Sequence, residues 1–352
     1  MRTMNVGIIG TGFGGLVQLP AFLGMPDIRV AGIASAHPER AAAIGRKHDI
    51  SHIFTSPLEL ITCPDIDIVS IATPQATHEM FVQACIQAGK SVLCEKPFTL
   101  NSLQAKKLLA AAGTREIVHG IDFEFRQLPA LQFLQKQLTG NYAETVRMID
   151  MEWTVGTWAD TTRLWRWQCD ARQGGGVLSA LGVHLFDAAE WLLGPIVSLQ
   201  SSIGTKISQR KDAGGVARQV TSEDHAMIHI KFDKGVTGNI HLSNVDEHGR
   251  GLQISVHTDR RILRLESASQ NYGNGLYVTE IAGSKSSIVF EEKASTGIDA
   301  RIPLFQKIAS QFCIAVREKD VKFSPSFREG VRTQLLREAT IASKGNWIDI
   351  LY

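Results

Sequence analysis

The sequence predicts an α/β chain of two domains. The first is a Rossmann domain, a doubly wound parallel sheet. The second is an α+β domain with a large open, mainly antiparallel sheet. Three observations carry this expectation. The apolar run Met4–Ile9 passes directly into a glycine-rich turn. Apolar runs then alternate with helical stretches through the first third of the chain, the pattern of βαβ units. After that, long segments alternate apolar and polar residues with period two, as strands with one covered face do. The expected division is 1–121 and 122–352 of the 352 residues, enough chain for two separate cores.

Taken in order, Met4–Ile9 suits a buried parallel strand, and Gly10, Gly12 and Gly15 within Gly10-Thr11-Gly12-Phe13-Gly14-Gly15 fit G-x-G-x-x-G. Gly10 allows the tight turn, Gly12 lets the backbone approach a pyrophosphate, and Gly15 lets the next helix close on the strand. The N–H groups and positive dipole end of that helix face the phosphates. A second strand is expected over 28–33. For NAD its end should carry an acid for the ribose 2′-hydroxyl. No carboxylate stands there. Ser35, His37 and Arg40 follow instead, and donors with positive charge suit a 2′-phosphate. This leans to NADP over NAD; equally, Arg40 reads as a solvated residue of the next helix, 41–48.

Residues 67–72 read as a buried strand closed by Thr73-Pro74, and 77–88 as an amphipathic helix that Gly89 ends. The next strand, from Ser91 to Cys94, ends on Glu95-Lys96, where Pro97 blocks its continuation. A lysine at the C-terminal end of a parallel strand stands where open α/β sheets bind ligands. Beside a cofactor it suits proton exchange near neutral pH; it reads equally as a surface lysine paired to Glu95. Asn101 caps a helix over 102–112, and 116–120 closes the domain as its last strand.

In the second domain 130–138 reads as an amphipathic helix ended by Gly140-Asn141, and 146–155 as a strand. Trp158 and Trp165-Arg166-Trp167 precede a Gly174-Gly175-Gly176 turn and a helix bearing His184. The stretch 206–222 is charged and aperiodic and reads as a mobile loop. Segments 223–232 and 236–243 alternate about the turn Asp233-Lys234-Gly235, a hairpin that 252–257, 261–266, 276–281 and 287–291 extend. Helices are expected over 302–316 and Phe327–Ser343. So large an open sheet needs a cover, so a homodimer or homotetramer through this sheet is expected.

Composition narrows the function classes. Hydrophobic residues at 44% and charged residues at 20% are those of an ordinary globular protein. A formal net charge of +2, with no block of like charge, argues against nucleic acid as a partner. The five cysteines (Cys63, Cys85, Cys94, Cys169, Cys313) form no C-x-x-C pair, so neither a disulfide framework nor a cysteine metal site is expected. His241, His248 and His257 lack carboxylate partners at metal spacing, and no metal is assigned. With a strand at Met4 and no apolar run read as long enough to span a bilayer, a cytoplasmic protein without a membrane partner is expected.

These stretches together resemble the Gfo/Idh/MocA family of glucose–fructose oxidoreductase and inositol dehydrogenase. The residues that carry the resemblance are Gly10-x-Gly12-x-x-Gly15, Ala72-Thr73-Pro74 with His78, and Ala88-Gly89-Lys90 leading to Glu95-Lys96-Pro97. It continues through Gly174-Gly175-Gly176 with Gly182-x-His184-x-x-Asp187 to Pro325-Ser326-Phe327-x-Glu329-Gly330. The resemblance implies hydride transfer between a nicotinamide and a carbon of a sugar, sugar derivative or cyclitol. It places Lys96 near the reacting oxygen, makes His184 the proton donor or acceptor, and lines the nicotinamide side with Thr73, Pro74 and Glu95, with His78 and Lys96 also expected to contact the cofactor. Arg126, Trp165 and Arg166 become candidates for substrate contact, since aromatic faces stack on sugar rings and guanidinium bonds hydroxyls. The tryptophans read equally as core or subunit interface, and Arg126 as a structural ion-pair partner. One residue departs from the pattern: many family members carry Asp four residues before the histidine, where this chain has Ala180. That keeps a second class of function in view, a nucleotide-binding sensor or regulator that does not turn over.

Overall fold

A computed structural model describes residues 2–139, 144–294 and 297–351. They fall into two compact units, Met1–Gln127 with Ile298–Gln334, and Leu128–Gly297 with Leu335–Tyr352. The first unit thus runs six residues past the expected division at 121 and takes back a distant segment. The reason is local: the turn Glu124–Gln127 is buried, and Gln127 bonds Gln311 of the helix Arg301–Glu318 at 3.1 Å.

Unit 1 is a six-stranded parallel sheet. Its strands are β1 (Met4–Ile9), β2 (Ile28–Ala34), β3 (His52–Phe54), β4 (Ile68–Ile71), β5 (Ser91–Glu95) and β6 (His119–Asp122). Their order, β3-β2-β1-β4-β5-β6, reverses direction between β1 and β4. Ligands of doubly wound sheets bind outside the carboxyl ends of the strands at that reversal. The strands inside the sheet are mostly apolar and buried because both faces are covered, while the edge strand β3 is partly exposed. The helices between them are α1 (Leu19–Leu23), α2 (Pro38–Lys47), α3 (Pro57–Thr62), α4 (His78–Gln87) and α5 (Ser102–Arg115). Asn101 caps α5 as expected, its side chain accepting from Gln104 N at 3.0 Å. Part of the cover comes from far down the chain: Phe305, Ile308 and Phe312 join Val6, Ile8 and Ile33 in one core, with Phe305 edge-on to Phe22 at 5.3 Å.

Three local expectations shift. The strand β3 and helix α3, with Ser56 capping the helix, are too short to show a period and are absent from the sequence reading. The last strand lies at His119–Asp122 rather than 116–120, because α5 continues to Arg115 and Glu116 ends it in the left-handed region at φ 51°. The acid Asp122 is therefore inside the sheet.

Unit 2 holds a nine-stranded mixed sheet. Its strands are β7 (Val146–Thr154), β8 (Ile196–Gly204), β11 (His225–Phe232), β12 (Thr237–Ser243), β13 (Gly251–Thr258), β14 (Ile262–Ser267), β15 (Leu276–Ala282), β16 (Lys285–Glu292) and β17 (Ile348–Asp349), with β9 (Gln209–Lys211) and β10 (Ala217–Gln219) outside it. The order is β16-β15-β14-β13-β7-β12-β11-β8-β17, antiparallel throughout except between β7 and β12. On β11 burial alternates residue by residue, so one face carries Ala226, Ile228, Ile230 and Phe232 into the core. The expected mobile loop over 206–222 is instead a hairpin of β9 and β10. Asp212 folds its turn by accepting from the N–H groups of Gly214 and Val216. Buried Arg210 anchors it through carbonyls of Trp158, Asp160 and Arg163. His257 has a carboxylate partner after all, Asp150 at 3.4 Å. The helix stop at Gly140-Asn141 lies outside the described residues. The run Ala171–Leu193 is long and apolar enough to cross a membrane by length and composition, contrary to the sequence reading, and 72% of its most apolar window is buried inside the protein. Its apolar character is accounted for by core burial.

The helix Phe327–Ser343 begins in unit 1 on a stacked ladder. Phe327 lies between Phe98 and His119, each with ring centroids at 4.3 Å, and is fully buried. Phe327→Ala should cost about 3–5 kcal/mol, read as a lower denaturation midpoint at unchanged slope in urea.

Candidate active site

The glycine turn after β1 is built by sterics. Gly10 has φ 114°, and a Cβ there would stand 2.2 Å from the carbonyl oxygen of Ala72. Only glycine lets β1 turn this close to the end of β4. A Cβ on Gly12 would meet nothing within 4 Å, so its backbone faces open space, as close approach of a pyrophosphate requires. The close packing assigned to Gly15 is divided between two glycines. Gly14 lies against Ile8 and Ala72 of the sheet strands, while Gly15 meets Ile44 of α2 at 3.0 Å. Phe13 lies under the Arg301 guanidinium, 5.3 Å from the ring centre.

At the end of β2, Ser35 Oγ lies 3.2 Å from Thr11 Oγ and accepts from the His37 N–H at 3.1 Å. Two hydroxyls thus stand side by side beyond β1 and β2. His37 and Arg40 are exposed around the start of α2, with Glu39 3.7 Å from the His37 ring. Hydroxyls, an imidazole and a guanidinium thus gather at the end of β2, with one carboxylate, Glu39, among them.

The loops after β4 and β5 are tied together by His78 at the start of α4. Its Nε2 lies 2.9 Å from Thr73 O, and its Nδ1 lies 3.0 Å from Pro97 O and 3.2 Å from Phe98 O. The ring is fully buried, and burial lowers its pKa despite those carbonyls. Gln75 adds a bond to Thr99 O. The neutral ring has one N–H, so it donates on one side only while it sits packed between the Thr73-Pro74 turn and Lys96-Pro97, whose peptide bond is cis.

Behind half-buried Lys96, Glu95, expected to line the nicotinamide side, is buried with two further acids that the sequence reading missed. Glu95 and Asp122 are register partners on β5 and β6, so their side chains leave the same face. Glu124 follows in the next turn, and all three are buried. Glu95 Oε1 accepts from Gln18 Nε2 at 3.0 Å, and Gln18 Oε1 accepts from Ser70 Oγ at 2.9 Å. Burial pushes all three carboxyls above their ordinary range, Glu124 to about 7, while the Lys96 ammonium pulls each down. In sequence these acids alternate with Ile121, Phe123 and Phe125, the pattern of an edge strand with its acids in water, and Gln18 stands in an apolar run. Arg126, an expected substrate contact, is buried and donates to Ser324 Oγ at 3.0 Å, near the Glu329 carboxylate.

In unit 2 the triple glycine is likewise steric. A Cβ on Gly175 would stand 2.2 Å from Gln168 O, and one on Gly176, at φ 111°, would stand 2.1 Å from the Glu223 carboxylate. Glu223 receives the Leu178 N–H at 3.0 Å and so anchors the start of the segment that leads to His184. His184 sits buried in the helix Val183–Leu193, with the Trp153 ring 6.0 Å away. Ala180 is exposed on the π-type turn Leu178–Gly182, and buried Ser179 beside it has no hydrogen-bond partner for its hydroxyl among the described residues. Trp165 donates from Nε1 to Gln219 O at 3.0 Å and lies under Arg218, while Arg166 is exposed. Among the described residues no group of three His, Cys, Asp or Glu side chains is placed to hold a metal.

Two family models match in tandem: an oxidoreductase family with an NAD-binding Rossmann fold over residues 4–123, and the Gfo/Idh/MocA C-terminal domain over 133–264. The chain belongs to the Gfo/Idh/MocA oxidoreductase family. It is an NAD(P)-dependent oxidoreductase with an NAD-binding Rossmann domain. Its relatives include the levoglucosan dehydrogenase of Pseudarthrobacter phenanthrenivorans, 27% identical over 99% of each chain. They also include the inositol 2-dehydrogenase of Rhizobium meliloti, 23% identical over 97% of each. A solved levoglucosan dehydrogenase in complex with NADH and L-sorbose shares the fold at TM-score 0.90 and 24% identity, covering 100% of both chains.

Because Gly10 meets Ala72 O, Gly10→Ala must displace the turn. Backbone strain of about 1–3 kcal/mol and loss of dinucleotide binding are expected, the first by chemical denaturation and the second by nicotinamide fluorescence titration.

Proposed function

We propose that the chain transfers a hydride between NADP(H) and a CH–OH carbon of a sugar, sugar derivative or cyclitol. The observation that carries this reading is the lysine at the carboxyl end of β5, next to the strand reversal, on a loop clasped to the Thr73-Pro74 turn. When bound, the nicotinamide supplies or accepts the hydride. Residues of the chain do the rest. The Gly10–Gly15 turn receives the pyrophosphate. Thr11, Ser35, His37 and Arg40 meet the 2′-phosphate. The Lys96 ammonium holds the reacting oxygen and stabilises negative charge there, and His184 exchanges the proton of that oxygen. Arg126 holds the loop structure, and Trp165 and Arg166 stand for sugar contact in unit 2. The names of relatives that act on levoglucosan and inositol support a polyol substrate. The polar open face of the sheet, with Asp150, Glu152, Asn239 and Arg264, is proposed to meet a second copy of the chain.

NADPH should bind more tightly than NADH, and Arg40→Ala should narrow that preference by about tenfold. Lys96→Met should lower kcat on a responsive polyol by about 10²–10⁴-fold with dinucleotide affinity nearly unchanged. NADH preference would sink the 2′-phosphate assignment. Tight dinucleotide binding without turnover across a panel of polyols and keto-sugars would favour the regulator that Ala180 keeps in view.

A further inference from the structure

We propose that Glu95, Asp122 and Glu124 form a shared-proton cluster behind Lys96, with Glu124 as a positioning residue whose ionisation sets how the lysine head is held. The proposal rests on the dehydrogenase reading only for its kinetic consequence.

Register is the first observation. Glu95 and Asp122 face each other across β5 and β6, held there by ladder geometry. Donor supply is the second. Among the described residues no N–H or O–H group donates to either oxygen of Asp122 or to Oε2 of Glu124. What stands beside Asp122 is the Glu95 carboxyl, its neighbour across the ladder. Two buried carboxyls side by side are accommodated when one of them keeps a proton. Gln18 commits an amide N–H to Glu95, which favours the charged form there, so Asp122, without a donor, is the member that keeps the proton. Burial is the third: three adjacent buried carboxylates would be an uncompensated charge that a protein avoids by retaining protons.

The charged groups that act on Glu124 come from three elements. Lys96 and Glu95 come from the end of β5, Asp122 from β6, and Arg301 from the helix Arg301–Glu318. Arg301 is itself paired with Asp299 at 2.6 Å. Glu124 thus feels both acids and two cations. As a carboxylate it attracts the Lys96 ammonium; as a neutral acid it attracts it less, and the lysine head is left to its other contacts. The exchange is a simple proton transfer, in which Glu124 gains a proton from solvent or gives one up, and no electrons move.

The test compares wild type with Glu124→Gln, an isosteric change that cannot ionise. The sign follows from a raised acid. Between the ordinary carboxyl value of 4.5 and about 7 the folded protein binds more protons than the unfolded chain. That contribution to stability is fully present below the lower value and lost as pH rises through about 7. Urea denaturation across this window should therefore show wild type losing stability relative to Glu124→Gln as pH rises. In kinetics, the limb of kcat/KM near pH 7 should move or vanish in Glu124→Gln while NADPH affinity holds. Asp122→Asn, with the same expected direction in denaturation, serves if Glu124→Gln does not fold. Parallel stability curves in wild type and variant would overturn the proposal. So would superimposed pH profiles. Denaturation needs no substrate, so absence of turnover would count against the dehydrogenase reading and leave the cluster judged on stability alone.

Discussion

A carboxyl group taken out of water at the end of β5 sets the terms for the rest of unit 1. Glu95 is buried in a parallel sheet that offers it few donors, and burying such a group without partners is expensive. The fold answers with Gln18, a polar residue inside an apolar helix, which bridges Glu95 to Ser70 and so joins the first helical segment to β4 and β5. Asp122 and Glu124 complete the group from β6 and the turn beyond it. Lys96 then emerges from a backbone that the interior fixes rather than from a free loop. Precise placement of a reacting group by supporting residues is what catalysis by orientation requires.

Around this centre, sterics and backbone hydrogen bonds replace flexible side chains. The Gly10 turn touches the Ala72 carbonyl, and the residue after it, Thr73, is clasped by His78 to the loop that follows Lys96. Three strand ends are thereby set relative to one another through main-chain atoms. In unit 2 the same economy appears where Glu223 fills the space above Gly176 and receives the Leu178 N–H ahead of the His184 helix.

The strand–turn–helix order, the parallel sheet and most of the antiparallel sheet were legible because buried strands and alternating strands leave patterns that survive without long-range information, while β8 and β17 at its far edge were not read. Glycines and lysine at strand ends were legible because turn geometry demands particular residues. What stayed hidden depends on contacts distant in sequence. Asp122 and Glu124 look solvent-facing until the helix Arg301–Glu318, nearly two hundred residues on, covers them. Gln18 looks like an accident in an apolar run until Ser70 and Glu95 arrive beside it. The 206–222 hairpin has no period, and Arg210 holds it by carbonyls from 158–163. His78 looks like a cofactor ligand in sequence, yet its ring is buried among backbone carbonyls.

The most direct measurement is the infrared spectrum of the purified protein at neutral pH in light and heavy water. A protonated carboxylic acid has a C=O stretch distinct from carboxylate bands and shifts on deuteration. The account predicts such a band in wild type and a weaker one in Asp122→Asn, where only the partly protonated Glu124 remains to contribute. Carboxylate bands alone in wild type, with no difference on replacing Asp122, would contradict a shared proton behind Lys96 and remove the constraint on which this description of the site depends.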